Sequence, residues 1–311
     1  MSEIVIKILL ALFAISLLFA LLYLLYTLRE ELRKDRILTL CYQRPSSLLT
    51  RGISRSGVIY MNYSIRFEEQ ISYLLSHGYQ AISIRDLLAC LEGKQKLPPK
   101  PLLIILDNGY LSNYLHIYPI VQKYDFPSLM FVTPDSQSEV FAPLRGIDLP
   151  ITNRQINEMY QGNIMVGSHG MSPRLFSKLS EEDLTWELTE SKRLIEDIIP
   201  EEVQSLAIPD SDFLDKKTQS LAQNAGYKII FGNQIGTNNS RNNLLNLRKL
   251  NIYKDMDLYE FKKFISSPSI YRQRILSDIK VSPIIIKNRI KSMRRKKQPD
   301  HKASADGELN G

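Results

Sequence analysis

Three short segments of this chain hold side chains that move protons, each at the end of an apolar run. The first reads Pro-Leu-Leu-Ile-Ile-Leu-Asp-Asn-Gly-Tyr, where the apolar stretch stops at Asp107, Asn108 and Gly109. Many barrel enzymes deliver catalytic groups to their rim on such a strand end. The second, Gly167-Ser168-His169-Gly170, places an imidazole after another apolar run, and the third, Ala207-Ile208-Pro209, follows one more. A carboxylate and an imidazole on one rim can act as general base and acid, or as two donors of a divalent-metal site.

The elements that must position these groups follow from periodicity. Strands are expected over 37–42, 81–84, 102–106, 128–132, 164–167, 206–208, 228–231 and 247–253. Helices are expected over 67–77, 86–91, 115–124, 152–160, 179–199 and 216–225, with Thr152 and Ser180 as N-caps and Gly78 and Gly226 as stops. Regular alternation of this kind predicts an α/β fold, a mostly parallel barrel or open sheet. Chemistry then belongs after residues 106, 167 and 208, where strands end.

In that order the segments resemble the NodB-type polysaccharide deacetylases, carbohydrate esterase family 4, and within it the poly-N-acetylglucosamine deacetylase branch. The likeness runs over residues 40–264. Leu106-Asp107-Asn108-Gly109-Tyr110 is similar to the family's TFDDGY motif, with Tyr118-Pro119 and Phe126-Pro127 behind it. Gly167-Ser168-His169-Gly170, then Leu179-Ser180-Glu181-Glu182, resembles the second region, and Ala207-Ile208-Pro209 with Ala225-Gly226-Tyr227 the third. The resemblance implies a NodB-like distorted (β/α) barrel acting on a polysaccharide or other glycan. It further implies that Asp107 aligns with the general base, and that Asn108, His169 and Pro173 stand where an aspartate and two histidines hold a divalent metal. Such an ion lowers the pKa of bound water and polarises an amide carbonyl.

Two of those three donors are replaced, since proline offers no side-chain donor at all. The Tyr-His pair usual near the first strand is Tyr42-Gln43, and Ile208 stands where an aromatic is usual. His77 and His116 fall on expected helix faces, and His301 lies near the C-terminus. The expectation is a degenerate site: no cofactor, with Asp107 and His169 as vestigial catalytic residues forming a polar pair that closes the mouth. Asn113 is expected as a turn residue, and Tyr110, Tyr114 and Pro209 as the sugar-binding surface. The alternative is an active deacetylase with Asp107 as base, His169 as acid, or one Zn²⁺-like cation completed by Asp210 or Asp212.

Ahead of this domain, residues 8–28 carry no charge and are dominated by Leu, Ile, Ala and Phe, long enough to cross a ~30 Å hydrocarbon core. We expect an uncleaved membrane anchor, with Tyr23 and Tyr26 near the headgroups. Arg29, Arg33, Lys34 and Arg36 follow it, favouring a cytoplasmic domain, whereas members of the resembled family are often extracytoplasmic. The net charge of +7 is carried by Lys287, Arg289, Lys291, Arg294, Arg295, Lys296 and Lys297; without them the acids and bases balance. Anionic lipid is the expected partner of that run and nucleic acid is not, at about 1 kcal/mol per basic residue near a charged surface. Cys41 and Cys90 form no metal-binding spacing and leave a single disulfide open. The organisation expected is an anchor over 1–36, a deacetylase-like domain over 37–270 and a basic, largely disordered tail over 271–311.

Overall fold

The computed structural model describes residues 3–31, 36–42, 56–135, 149–172, 174–209, 212–239, 243–252, 256–266 and 268–277. Gln43, Pro173, Asp210, His301 and the basic run from Lys287 lie outside these. The first element is one uninterrupted helix, α1 (Glu3–Glu31), apolar around its whole circumference. A helix without a polar face has no side to turn toward water. Its Glu3–Tyr26 stretch, with a mean hydropathy of 2.9, is long and apolar enough to cross a membrane, a property that signal sequences share.

Eight parallel strands follow among the described residues. They are β1 (Leu38–Tyr42), β2 (Gln80–Ala81), β3 (Pro101–Leu106), β4 (Ser128–Val132), β5 (Ile164–Ser168), β6 (Ser205–Ala207), β7 (Ile229–Phe231) and β8 (Leu250–Ile252). Their order is β7-β6-β5-β4-β3-β1-β8, with β2 paired to β3 off that path. The sheet curls until its edges approach one another, where Leu247 bonds Ile230 and Gly232 bonds Leu247 at 2.8 and 2.9 Å. The NodB-like distorted barrel is therefore present.

Alternation along the strands divides the core in two. Leu102, Ile104 and Leu106 point outward with Leu40, Tyr42 and Met130, against α2 (Ser56–Ser76), α5 (Asn153–Gln161) and α6 (Glu181–Glu196). Leu103 and Ile105 point inward with Cys41, Leu129, Phe131, Ala207, Phe231 and Leu247. Ile84 and Leu87 of α3 (Ile84–Leu91) join this inner group. The remaining helices are α4 (Tyr118–Lys123), α7 (Lys216–Asn224), α8 (Leu258–Phe264) and α9 over 268–277.

Several boundaries differ from the periodicity reading. The strand expected over 81–84 stops at Ala81, because Ser83 caps α3: its Oγ accepts from Asp86 N at 3.1 Å and Asp86 Oδ2 accepts from Ser83 N at 2.8 Å. That reciprocal pair outweighs the β-propensity of Ile82 and Ile84. The helix expected over 115–124 begins as a π-turn, Asn113–Ile117, with Tyr118 N bonded to Asn113 O. Pro119 has no N–H to continue an ordinary turn. The N-caps Thr152 and Ser180 accept from Gln155 N and Asp183 N as expected. Neither Cys41 nor Cys90 is in a disulfide, so the bridge left open by the sequence does not form.

Candidate active site

Asp107 follows β3 in the inward phase and is completely buried. Its amide extends the ladder by donating to Tyr42 O at 3.2 Å. Immediately afterwards Asn108 and Gly109 take left-handed conformations, with φ of 69° and 62°. Asn tolerates that region and Gly has no Cβ to oppose it; a Cβ at Gly109 would lie 3.0 Å from Val132 Cγ1. The turn releases Tyr110 to pair with Pro150, while Asn113 Nδ2 donates to Asp107 O at 3.3 Å. Asn113 thus fastens the turn, consistent with its reading as a turn residue.

The main partner of the Asp107 carboxylate is one the sequence did not single out. Lys249, just ahead of β8 and only 1% exposed, reaches along the barrel interior to place Nζ 3.3 Å from Asp107 Oδ2. The Cys41 thiol donates to the same oxygen at 3.5 Å. Two charges taken out of water together are held by mutual attraction, and neither is tolerable alone. Lys249 shares strand parity with Leu247, whose side chain points into the barrel; that parity was the available signal. It was obscured because Leu250 and Ile252, of the opposite parity, are equally apolar.

His169 extends β5 by one residue, donating its amide to Val132 O at 2.9 Å. Its Nδ1 lies 2.9 Å from Ala207 O, a carbonyl that only accepts, so Nδ1 carries a hydrogen and Nε2 is the ring nitrogen turned toward Asp107. The Nε2 to Oδ1 separation is 3.9 Å. This corrects the expected hydrogen-bonded Asp107–His169 pair: the two side chains share the mouth, but the close contact to the carboxylate is made by Lys249. The reason is reach, since the four-carbon stem of Lys249 extends along the barrel interior and a histidine ring held by Ala207 O does not.

The loop after His169 is held from below by Glu187, a fully buried carboxylate on α6. Glu187 accepts from Met171 N at 2.7 Å, from Ser172 N at 3.0 Å, from Ser172 Oγ, and from Arg174 at 3.2 Å. A carboxylate offers about four lone-pair sites, and here they are met by the loop's own donors. Gly170, at φ 80°, makes the turn over Phe176 that brings those amides to it. Glu187 was not picked out from sequence, because nothing in a helix pattern distinguishes a buried acid from an exposed one.

The expected sugar-contacting residues divide. Tyr110 is 6% exposed and Pro209 is buried, with its carbonyl accepting from Asn233 at 2.7 Å; both are packed. Tyr114 remains half-buried at the rim, stacked on Tyr118 with ring centroids 5.8 Å apart and bonded to Glu158 at 2.9 Å. The hydrogen bond to a carboxylate and burial hold the Tyr114 phenol above its usual range. Asp212, an alternative metal donor, has its oxygens on Ser177 Oγ at 2.5 Å, Ser177 N at 3.1 Å and Phe213 N at 2.8 Å.

The divalent ion implied by the family resemblance does not fit the donors present. The described candidates are a neutral amide at Asn108, one imidazole at His169, and an Asp107 carboxylate already facing an ammonium. Among the described residues no three His, Cys, Asp or Glu side chains converge as metal ligands. No reaction step is therefore routed through a metal.

With this geometry established, comparison with known proteins gives a consistent result. Residues 94–230 match the family model described as polysaccharide deacetylase. The chain is 23% identical over 201 residues to the YxkH protein of Bacillus subtilis, covering 65% of this chain and 69% of that one. It is 26% identical over 182 residues to a poly-β-1,6-N-acetyl-D-glucosamine N-deacetylase of Staphylococcus aureus, covering 55% of this chain and 61% of the relative. In structure it resembles the Streptococcus pyogenes deacetylase PplD, with a TM-score of 0.62 at 19% identity over 75% of this chain and all of that one. It also resembles IcaB from Ammonifex degensii, with a TM-score of 0.59 at 21% identity over 78% and 98% of the two chains. At those identities the structures establish the fold, and over residues 94–230 the sequence is similar to the polysaccharide deacetylase family.

Proposed function

We propose that this protein is a membrane-anchored member of the family in cell-envelope polysaccharide metabolism that binds glycan without deacetylating it, as a glycan-binding or regulatory subunit. One observation carries the reading: the carboxylate aligned with the family's general base is wholly buried and faces the Lys249 ammonium at 3.3 Å. A general base needs a free lone pair within about 2.6–3.2 Å of the proton it takes. Asp107 Oδ2 already receives Lys249 and Cys41, and at zero exposure the carboxylate has no route to solvent water. Asn108 removes the neighbouring negative charge that would hold a divalent ion, and Pro173 removes a donor in sequence. We read the site as metal-free.

The runner-up is an active deacetylase, favoured by the single fact that His169 Nε2 faces Asp107 across the same mouth. Acetate release from N-acetylglucosamine oligomers, measured alongside metal content, separates the two. The metal-free binding reading predicts no acetate above an Asp107→Ala control and no bound divalent metal, with oligomer binding detectable by calorimetry. Acetate release that Asp107→Ala abolishes, with about one equivalent of metal per chain, would overturn it.

A further inference from the structure

Helix α9 is a bridge. One stripe of it packs on the domain: Ile270 is fully buried, Arg274 and Ser277 are each 8% exposed, and Ser277 Oγ accepts from Ile235 N at 3.2 Å. Another side meets the N-terminal helix, where Tyr271 donates its hydroxyl to Leu24 O at 3.2 Å. Leu24 is, among the described side chains of α1, the one that is not exposed. The two facts are independent, one a hydrogen bond and one a shielded side chain, and they mark the same contact.

The depth of that contact matters. Leu24 lies two residues inside the end of the apolar stretch Glu3–Tyr26, roughly 3 Å at the helical rise. If α1 spans a bilayer, the Tyr271 ring sits where the hydrocarbon meets the headgroups, the level at which tyrosine is enriched. The outward side of α9 carries Arg272 and Leu276, spaced i, i+4 and both exposed, Leu276 at 49%. An apolar side chain beside a snorkelling arginine suits the same boundary.

The topology then fixes which end faces the lipid. The C-terminus of α1 leads through residues 32–37 to the start of β1, so the N-terminal ends of all these parallel strands lie toward it. Asp107 and His169 are at the opposite ends. α8 runs back from the mouth end of β8 and delivers the chain to α9.

We propose that the barrel stands on the bilayer by the N-terminal end of its strands, clamped there by α9, with its mouth directed away from the lipid. The partner is the bilayer surface around α1, and the proposal rests on the reading of α1 as an anchor. It excludes a loose tether: the mouth is held at a set height, about 17 Å beyond the start of a five-residue strand.

The test uses the full chain with Cys90→Ala, the buried Cys41 left in place, reconstituted in phosphatidylcholine–phosphatidylglycerol vesicles carrying spin-labelled lipid. A fluorescent maleimide is placed in turn at Leu12→Cys in α1, Leu276→Cys in α9, and Tyr259→Cys at the mouth end of α8, where the side chain is 74% exposed. The expected result is strong quenching at positions 12 and 276, several-fold above that at 259. Quenching at 12 with 276 no better quenched than 259 overturns the docking and leaves the anchor intact. An unquenched label at 12 overturns the anchor, and the docking with it. All three positions are exposed in the structure, so the labels do not disturb packing.

Discussion

Replacing Lys249 with methionine keeps the length of the stem and deletes the charge. Asp107 then remains at zero exposure without the Lys249 ammonium, its Oδ2 keeping the weak thiol donor of Cys41 at 3.5 Å. Breaking one side of a buried ion pair costs about 3–5 kcal/mol, because a charge is left uncompensated in a medium that cannot solvate it. For a domain of this size each kcal/mol moves the midpoint by about 2–4 °C, so Lys249→Met should lower Tm by roughly 6–20 °C. Asp107→Asn should destabilise similarly, by stranding the ammonium. The double variant Lys249→Met/Asp107→Asn should recover much of the loss, since a pair of neutral groups carries no stranded charge. Thermal and urea unfolding of the four proteins by circular dichroism, in one detergent, closes the cycle. The deficit of Lys249→Met should shrink as pH is lowered, because a buried carboxyl without a cation is best tolerated neutral. A loss below about 1 kcal/mol in both single variants, the range of an exposed pair, would refute the claim that Asp107 and Lys249 form one buried unit.

Three further outcomes follow from the same geometry. Glu187→Gln removes the charge that gathers the amides of Met171 and Ser172; we expect a loss of about 1–3 kcal/mol and faster hydrogen exchange at those amides, and unchanged exchange there would refute it. Tyr227 is buried and bonded to Leu188 O at 3.0 Å, and burial pushes its phenol up to about 12 from 10. Its contribution is complete below pH 10, where it is neutral in both states, and is lost as pH rises toward 12, about 3 kcal/mol in all. Tyr227→Phe should therefore flatten the alkaline limb of the stability curve, and an identical limb would contradict it. Finally, Asn108→Asp with Pro173→His restores two donors beside His169, and Asp tolerates the left-handed φ of position 108. That double variant should take up about one equivalent of Zn²⁺ by elemental analysis where the native protein takes up none.

Sequence alone determined much of this protein. The 2-residue alternation of apolar strands, the Ser180 and Thr152 caps and the order of the three strand-end motifs were enough for the parallel barrel and for its resemblance to polysaccharide deacetylases. These are local signals, each carried by a few adjacent residues whose conformational preferences agree. The loss of donors at positions 108 and 173 was equally legible, because it depends on residue chemistry and not on distance. What the tertiary structure alone decided was who faces whom. Lys249 stands 142 positions from Asp107, and the inward parity it shares with Leu247 is masked by the equally apolar Leu250 and Ile252. Glu187 reads as one more acid on a charged helix until the fold turns it under the amides of Met171 and Ser172. Tyr110 and Pro209 read as a sugar-facing surface until packing covers them. In each case burial and partner follow from strand order and barrel curvature, sums over the whole chain that no short segment contains.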